Sequence, residues 1–442
     1  MVGAQQDSLT VPVSKLKEDL LEIARAGVES VSARRVIDRA VRDPRIADII
    51  TSRPLHVVAA GKAASAMAAA FASVPHLAIR KAIAIGTHEH ASLPPGVEWI
   101  ESSHPYPDAR SEAAGNRALA IAQGVHSGEA LVLLLSGGAS ALMAVPLPGV
   151  TLADKTATTR LMMLAGADIH ALNTVRRHLS LIKGGRLAAS CVGTTLTLAI
   201  SDVVGDDLHA IGSGPGVPDG TTWSDAASAL ATYGGDAHAD RVKALIKAGV
   251  DGAIADTPKI GDPSIARVTA RVIGSRADAM EGARATAVER GYHAVVMPDA
   301  ITGEAKMIAL AWLARARAMA AHLPRPACVI SSGETTVRVT GSGTGGRNLE
   351  FALSLVHDMT NDRNAAVMSV GTDGIDGTSG VAGGVVDSTS LVRAARAGLQ
   401  SPGHYLAAND SFAFFAPLDD VVRLGRTDTN VGDLQVLVID EG

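Results

Sequence analysis

The chain alternates short apolar runs with longer segments in which apolar residues recur every three or four positions. The short runs are typical of buried strands, and the longer segments are typical of helices packed on a core. Strand, helix and strand in succession favour an α/β fold with a doubly wound, Rossmann-like sheet. The predicted strands of this first series are Leu55–Ala60, Ala82–Thr87, Val97–Glu101, Ala130–Leu135 and Thr194–Ile200.

A second series of strands and helices begins near Arg267, after a stretch rich in Gly, Pro and Asp at 215–265 that resembles a connection. We therefore predict a larger Rossmann-like domain over 1–265, which could include part of the later chain. A connecting α/β segment is predicted over 266–325, and a smaller α/β domain over 326–442.

Composition narrows the class of protein. A chain of 442 residues is long enough for two or three domains. Aromatic residues make up only 3% of the chain and hydrophobic residues 47%, so Ala, Val, Leu and Ile must build the core. The net charge of −5 gives no sign of nucleic-acid or membrane-surface binding. The two cysteines are interpreted as small buried hydrophobes.

Three further segments give mainly negative information. The uncharged stretch 130–153 contains glycines, serines and prolines, which favours a strand, a turn and a loop over a membrane span. His88-Glu89-His90, taken with His104, lacks the spacing of a zinc motif and is interpreted as a polar loop. The N-terminal segment lacks the basic and apolar regions of a signal peptide, so the expected compartment is the cytoplasm.

A glycine-rich loop separates a predicted strand from a predicted helix near residue 340. Four glycines fall within Gly341–Gly346, and a helix with apolar spacing begins at Arg347. Such a loop brings backbone N–H groups near a ligand, a helix N-terminus favours anions, and arginine can grip an oxyanion through two hydrogen bonds. The sequence therefore predicts a phosphate or carboxylate site here, with a glycine-rich turn as the alternative. The Gly-x-Gly-x-x-Gly spacing also matches the dinucleotide fingerprint, a weak indication when it stands alone.

Other polar residues follow predicted strands, where open α/β sheets bind their ligands. Lys62 is interpreted either as a phosphate contact or as a solvated lysine at a helix start. Ser136–Ser140 offers hydroxyls and backbone N–H groups, with a small-residue turn as the alternative. Asp202 and Asp373 could act as a base or hold Mg²⁺, with an Asx–Gly turn as the alternative for Asp373.

A helix predicted over 168–182 carries two neighbouring stripes around residues 172–183. The apolar stripe consists of Leu172, Val175, Leu179 and Ile182. The polar stripe lies one residue later and consists of Asn173, Arg176, Ser180 and Lys183. A polar stripe at the border of a core is typical of a cleft wall and equally of an ordinary solvated face.

Taken in order along the chain, these motifs resemble the glycerate 2-kinase family with a C-terminal MOFRL domain, whose members are often labelled hydroxypyruvate reductase. The resemblance covers nearly the whole chain. It is carried by Ala60–Ala64, Ser103–Asp108, Leu135–Leu142, Leu172–Leu187, Ser201–Asp206, Ser213–Pro215, Ser332–Phe351, Gly371–Gly377 and Ala408–Ser411. Two positions depart from the common pattern of the family. Ala139 replaces the third glycine of SGGGS, and Gly216 replaces the threonine that usually follows SGP.

The resemblance implies transfer of the γ-phosphoryl group of ATP to the 2-hydroxyl of D-glycerate, with Mg²⁺. It implies a cleft between the Rossmann-like domain and the MOFRL domain, and a small-molecule partner rather than nucleic acid or a membrane. A homodimer is possible, and the resemblance does not decide it. By resemblance, Lys62 and Arg347 carry essential positive charge, and Asp202 is a candidate for base or metal work.

Phosphoryl transfer needs cations around the phosphate oxygens and an aligned hydroxyl. The predicted site residues are assigned to roles on this basis. The predicted catalytic residues are Lys62, Arg347, Asp202 and Asp373, and the two aspartates are also the metal candidates. The predicted substrate-binding residues are Ser136, Asn173, Arg176 and Lys183. The predicted cofactor-binding residues are Gly137, Gly138, Ser140, Gly343, Gly345 and Gly346. The alternatives are an NAD(P)H-dependent hydroxypyruvate reductase and a non-catalytic sugar-phosphate-binding protein.

Overall fold

A computed structural model describes residues 11–88 and 92–440 of the chain, and residues 1–10, 89–91 and 441–442 lie outside it. The signal-peptide and His88–His90 interpretations therefore fall partly outside the described residues. Two compact units make up the described chain. The first unit contains residues 33–273, and the second unit contains residues 11–32 together with 274–440.

Helices and strands follow one another along most of the described chain. The helices are α1 Val11–Ser30, α2 Ala33–Ala40, α3 Pro44–Thr51, α4 Ala64–Ala72, α5 Ala109–Gln123, α6 Ala139–Leu142, α7 Leu152–Leu164, α8 Ile169–His178, α9 Arg186–Ala189, α10 Trp223–Thr232, α11 Asp240–Val250, α12 Arg276–Glu289, α13 Ala305–Ala320, α14 Arg347–Ser354, α15 Ser390–Arg396, α16 Pro402–Ala408 and α17 Ser411–Phe415. The strands are β1 Leu55–Ala60, β2 Ile79–Gly86, β3 Val97–Glu101, β4 Ala130–Leu135, β5 Thr194–Ile200, β6 Val268–Gly274, β7 His293–Val296, β8 Ile301–Glu304, β9 Ala327–Thr336, β10 Ala365–Gly371, β11 Gly383–Asp387, β12 Val421–Val422 and β13 Asp433–Ile439.

The first unit is built on a sheet with the strand order β3-β2-β1-β4-β5-β6. The pairs from β3 to β5 are all parallel, and every residue of β1 and β4 is buried. Continuous apolar runs form such strands because helices cover both faces of the sheet. The predicted Rossmann-like α/β fold is therefore confirmed, and the switch point where the strand order reverses lies between β1 and β4.

The second unit is built on a mixed sheet in the order β12-β11-β10-β13-β9-β7, with β8 also paired to β9. Strand β13 runs antiparallel to both β9 and β10, whereas β7 and β8 run parallel to β9. Successive residues of a strand point to opposite faces. Cys328 and Ile330 accordingly join the core beneath α1 and α12, while Val329 joins the core beneath α13 and α14.

Helix α1 packs in the second unit, although it precedes the first unit in sequence. Leu16, Leu20 and Ile23 are fully buried there, against α12 and strands of the mixed sheet. The units therefore do not follow the sequence-based boundaries at 265 and 325. Residues 11–32 leave the predicted Rossmann-like domain, and 274–325 joins the second unit. The reason is that the apolar stripe of α1 needs a sheet face to cover, and the mixed sheet supplies one.

The helix predicted over 168–182 is too long. Helix α8 ends at His178, Leu179 is its C-cap residue, and Ser180 forms a bridge with Pro146. The spacing of three and four residues continues by coincidence into an extended turn, so Ser180 and Lys183 do not share a helix face with Arg176. Within residues 11–88 and 92–440, no helix combines the length and the apolar character that crossing a membrane requires.

Candidate active site

Two loops meet at the switch point of the first sheet. Gly61 adopts a φ of +130°, and a side chain there would come within 2.1 Å of the Ser136 hydroxyl. The Lys62 amide donates to the Gly137 carbonyl at 2.9 Å, and the Ala63 amide donates to the Ser136 hydroxyl at 3.0 Å. Glycine is required at position 61 because the loop after β1 lies directly on the loop after β4. Ser136 therefore holds the Lys62 turn in place.

A cavity of about 700 Å³ opens beside these loops. Gly138 and Ser140 line it from the loop after β4, His104 from the segment after β3, and Arg176 from α8. Burial and the charge of nearby Lys62 lower the pKa of His104, which keeps its imidazole neutral at pH 7. The cavity thus lies beyond the carboxyl ends of parallel strands, where this fold class binds its ligands.

The lining of the cavity is strongly basic. Lys155, Arg160, Arg176 and Lys183 all line it, and no aspartate or glutamate does so among the residues that the structure describes. Burial lowers the pKa of Arg176. Burial followed by repulsion from Lys155 and Arg176 lowers the pKa of Lys183 well below its usual range. Such an environment attracts an anion, because a bound negative charge relieves the repulsion among the cations.

Lys183 is hydrogen-bonded within the protein. Its Nζ donates to the Ser140 carbonyl at 2.8 Å and to the Ser140 hydroxyl at 2.9 Å, and lies 3.3 Å from the Met143 carbonyl. The Ser140 and Ser213 hydroxyls lie 2.9 Å apart, and the Ser213 hydroxyl donates to Asn173 Oδ1 at 2.9 Å. This buried chain of hydrogen bonds fixes the orientation of Ser140 in the cavity wall.

Lys155 is in a different situation. It lies on α7, it is only 6% exposed, and its Nζ has no hydrogen-bond partner. Burial, followed by repulsion from Arg176, lowers the pKa of Lys155 to about 7 despite the opposing charge of Glu112. Sequence reasoning missed this residue. A signal was present, because Lys155, Thr158 and Met162 share the buried face of α7, where a lysine is out of place.

Only some of the ligand-binding residues that the sequence predicts in the first unit line the cavity. Gly138, Ser140, Arg176 and Lys183 line it. Ser136 and Asn173 are buried and do not line it. Ser136 accepts a hydrogen bond from the Ala63 amide, and Asn173 accepts one from the Ser213 hydroxyl, which lies 2.9 Å from the hydroxyl of Ser140. These positions explain a structural role for Ser136 and Asn173. The predicted ligand contacts of all seven residues, including Gly137, stay predictions.

Asp202 follows β5 at the same edge of the sheet as Lys62 and Ser136. Within the described residues there is no cluster of three or more His, Cys, Asp or Glu side chains that could hold a metal ion. Magnesium usually takes one or two protein carboxylates and completes its shell with water and substrate phosphates. A single carboxylate such as Asp202 therefore fits a magnesium ion that is bound together with a nucleotide.

The two departures from the family pattern are accommodated by their neighbours. A side chain at Gly216 would come within 2.1 Å of the Thr197 hydroxyl, so this chain has no room for threonine there. Ala139 begins the short helix α6 and is 1% exposed, with its methyl group near Gly212. Both positions lie in packed parts of the first unit, and neither lines the cavity.

The glycine-rich loop of the second unit has a structural explanation that the sequence did not reveal. A side chain at Gly341 would come within 2.1 Å of the Ala408 carbonyl, and one at Gly343 within 2.3 Å of Asp410. The Gly341 amide donates to Asn409 Oδ1 at 2.8 Å, and the Gly343 amide donates to the Ala408 carbonyl at 3.0 Å. The glycines thus permit close packing on the 408–411 segment, and these two amides serve the protein instead of an anion.

The N-terminus of α14 is capped by a carboxylate of the protein. Asp376 accepts hydrogen bonds from the Asn348 and Leu349 amides at 3.0 and 2.8 Å. Burial raises the pKa of Asp376 to about 7, although both amide donors act in the opposite direction. The anion predicted at this helix start is therefore a side chain of the same unit. Asp373 accepts from the Ile375 amide at 3.1 Å, which is the turn geometry of the alternative interpretation.

Arg347 forms two ion pairs within the second unit. Its Nε donates to Asp433 at 2.8 Å, and its guanidinium also donates to Glu334 at 3.0 Å. Burial lowers the pKa of Arg347, but attraction by Asp433 and Glu334 outweighs it, so the net shift is upward. Asp433 is fully buried and depends on this pairing. The predicted catalytic charge of Arg347 stays a prediction, as do the cofactor contacts of Gly343, Gly345 and Gly346.

The dinucleotide fingerprint does not have its usual setting. Strands β9 and β10, which flank the loop and α14, are separated in the sheet by the antiparallel strand β13. The fingerprint requires two adjacent parallel strands joined through the helix. The first strand–helix turn of the Rossmann-like sheet, Gly61–Ser65, carries only one glycine.

Two family models match the chain. The model described as Domain of unknown function (DUF4147) matches residues 19–247, and the MOFRL family model matches residues 327–433. The first model alone covers more than half of the chain. The resemblance inferred from the motifs is thereby confirmed.

Several relatives match nearly end to end. A putative hydroxypyruvate reductase of Agrobacterium vitis is 38% identical over 92% of this chain and 93% of that protein. The D-glycerate 2-kinase of Thermotoga maritima is 32% identical over 96% of this chain and 98% of that protein. The crystal structure of a glycerate kinase from Thermotoga maritima superposes with a TM-score of 0.86 and covers 96% of this chain and 100% of that one.

Proposed function

The chain belongs to the family that joins a DUF4147 domain to a MOFRL domain, and we propose that it is a glycerate kinase that transfers the γ-phosphoryl group of ATP to the 2-hydroxyl of D-glycerate. The kinase names of full-length relatives support the reaction. The preference for the 2-hydroxyl comes from these names and from the resemblance, because the geometry of the cavity does not distinguish the two hydroxyls.

The basic cavity of the first unit is the observation that carries this proposal. Four cationic side chains and no carboxylate line it among the described residues. Both the carboxylate of glycerate and a phosphate group are anions, so both are complementary to this lining. The turn that carries Lys62 and the loop that carries Ser140 lie at the adjacent strand ends, where phosphate contacts are expected.

In the proposed mechanism, the protein neutralises charge and aligns the acceptor. Phosphoryl transfer spreads negative charge over the phosphate oxygens, so positioned cations lower the barrier. Lys62 would contact the phosphates from its fixed turn, and Arg176 would face the anionic substrate. Asp202 would accept the proton of the reacting hydroxyl or hold the metal, and the choice between these two roles stays open.

ATP and Mg²⁺ are the proposed cofactors. Bound Mg²⁺ would supply charge neutralisation at the phosphate oxygens. Asp202 and Asp373 are the candidate carboxylates. The part that Arg347 and Asp373 take in the reaction rests on the resemblance, because within the second unit Arg347 pairs with Asp433 and Glu334.

The decisive experiment supplies purified protein with D-glycerate, ATP and Mg²⁺ and follows the products by phosphorus NMR. We expect a 2-phosphoglycerate signal and matching ADP. Oxidation of NADH by hydroxypyruvate without any need for ATP would instead establish the reductase that some relatives are named for. Binding of sugar phosphates without turnover would establish a non-catalytic binding protein.

A further inference from the structure

We propose that Lys155 is the specificity-determining receptor for the carboxylate of the hydroxy-acid substrate, and that Arg176 acts beside it. This inference rests on the glycerate kinase function proposed above and deepens it. The residue was not among the site residues that the sequence predicted.

Two buried lysines of the same cavity differ in their hydrogen bonds. Lys183 is 3% exposed, and its Nζ has acceptors at 2.8 and 2.9 Å. Lys155 is 6% exposed and its Nζ has none. A buried ammonium without a partner loses its hydration and receives nothing in return, which proteins rarely tolerate. A ligand that enters the cavity would supply the missing acceptor.

The charges around Lys155 favour an anionic ligand. Arg176 and Lys183 lie close enough to Lys155 to repel it, Arg160 lines the same cavity, and Glu112 is the acid that attracts it. Positive charge therefore exceeds negative charge around the Lys155 amine. An anion with two oxygens could accept hydrogen bonds from Lys155 and from the Arg176 guanidinium together. A carboxylate beside a hydroxyl, as in a 2-hydroxy acid, has this chemistry.

The two cations are placed on neighbouring helices. Lys155 lies on α7, and Arg176 lies on α8, which packs against it. Both are regular helices in the first unit, so the two cations are held by rigid elements instead of a mobile loop. Binding energy for the carboxylate can then orient the neighbouring hydroxyl.

The proposal has a measurable consequence for protons. The pKa of Lys155 is lowered to about 7 by burial and then by Arg176, so at pH 8 most of the free protein carries a neutral amine. A bound carboxylate favours the ammonium form and raises its pKa again. Binding at pH 8 should therefore take up close to one proton, and binding at pH 6 should take up very little.

The test is isothermal titration calorimetry of the full chain with D-glycerate, without nucleotide, in HEPES and in Tris buffer. The two buffers differ in ionisation enthalpy, so the difference in heat counts the protons. We expect Lys155→Met to weaken binding at least 30-fold and to abolish the proton uptake. We expect Lys155→Arg to bind within about fivefold of wild type without proton uptake, because a guanidinium stays charged.

The control is Lys247→Met on α11, an exposed lysine paired with Asp251, which should bind and take up protons as wild type does. Lys155→Met should also unfold at a Tm about 3 °C higher than wild type, because it removes an unpartnered buried charge. A merely structural lysine would lower the Tm instead.

The outcomes separate the two proposals. Wild-type affinity and proton uptake in Lys155→Met, in a protein that does phosphorylate D-glycerate, would overturn this inference alone. Binding with proton uptake in a wild-type protein that transfers no phosphoryl group would overturn the kinase and leave the receptor standing. A wild-type protein that is folded and does not bind D-glycerate would overturn both. If Lys155→Met fails to fold, the wild-type protein still provides a test. Binding of D-glycerate to wild type without any proton uptake at either pH 6 or pH 8 would overturn the inference.

Discussion

The two regions that the sequence marked as anion sites differ in how their polar groups are satisfied. In the second unit, Asp376 caps helix α14, Asp433 pairs with Arg347, and two amides of the glycine loop donate to neighbouring segments. In the first unit, the cavity leaves Lys155 without a partner and holds several cations without an acidic lining among the described residues.

The difference shows that the hydrogen-bond donors of an anion-binding motif can be paired with acceptors of the protein itself. The glycine loop and the helix start have the pattern of a ligand site, but the amides of Gly341, Gly343, Asn348 and Leu349 donate to acceptors within the same unit. Buried polar groups in native proteins are almost always paired, so an unpaired one indicates a ligand more directly than a pattern does. Lys155 is such a group.

The largest expected effect is that of Arg347→Gln. If Arg347 carries catalytic charge, turnover should fall by orders of magnitude. The variant also leaves the buried carboxylate of Asp433 without its cation, which should lower the free energy of unfolding by about 3 kcal/mol. Steady-state kinetics and urea denaturation would measure the two effects.

A double variant separates the two roles of this arginine. Arg347→Gln with Asp433→Asn removes the unpaired charge and should regain most of the lost stability. Turnover should stay low if the arginine acts on the substrate. Recovery of turnover together with stability would show that Arg347 only supports the fold.

The two regions should change the pH dependence of stability in opposite directions. The folded-state pKa of Asp376 is raised from 3.8 to about 7, so its contribution to stability is present below pH 4 and is lost as the pH rises to 7. The folded-state pKa of Lys155 is lowered from 10.5 to about 7, so stability is gained as the pH rises from 7 to 10. Each change could reach about 4 kcal/mol.

Urea denaturation across pH 4–10 would check these signs. Asp376→Asn should remove the loss of stability between pH 4 and 7, and Lys155→Met should remove the gain above pH 7. Unchanged pH profiles in either variant would show that the group does not titrate there.

Gly341→Ala should destabilise the second unit. The added methyl group would meet the Ala408 carbonyl at 2.1 Å, a backbone atom that cannot move aside easily. We expect a loss of about 3 kcal/mol in the free energy of unfolding. Gly403→Ala on α16 is the matched control, because nothing lies within 4 Å and alanine favours the helix. Equal thermal stability of the two variants would contradict the packing role of the glycine loop.

The other buried lysine should behave in the opposite way to Lys155. Lys183→Met removes the donor to Ser140 and Met143 and should cost about 2 kcal/mol of stability. Without this donor, Ser140 is no longer held in the cavity wall, so the KM for glycerate should also rise. A Tm at or above that of wild type would show that Lys183 is as unsatisfied as Lys155.

The smallest expected effect is that of Arg160→Ala. Arg160 lines the cavity but is exposed, so water screens its charge. We expect the KM for D-glycerate to rise by no more than about threefold, with unchanged Tm. A larger effect in steady-state kinetics would extend the substrate receptor toward the surface.

The sequence determined most of the fold. Strands β1, β3, β4 and β5 have the predicted bounds. The runs of β1 and β4 are almost entirely apolar because both strands are fully buried, whereas β3 lies at the edge of the sheet and is only partly buried. The order of motifs also established the family and placed Lys62 and the loop of Ser136–Ser140 at strand ends. These features depend on residues close together in sequence, so local patterns are sufficient to predict them.

Only the tertiary structure decided which polar groups are satisfied. Helix α1 joined the second unit, helix α8 ended at His178, and Asp376 came from a distant loop to cap α14. Lys155 became notable only because no acceptor from any part of the described chain reaches its amine. Pairing of buried donors and acceptors joins residues far apart in sequence, and spacing along the chain carries no record of it.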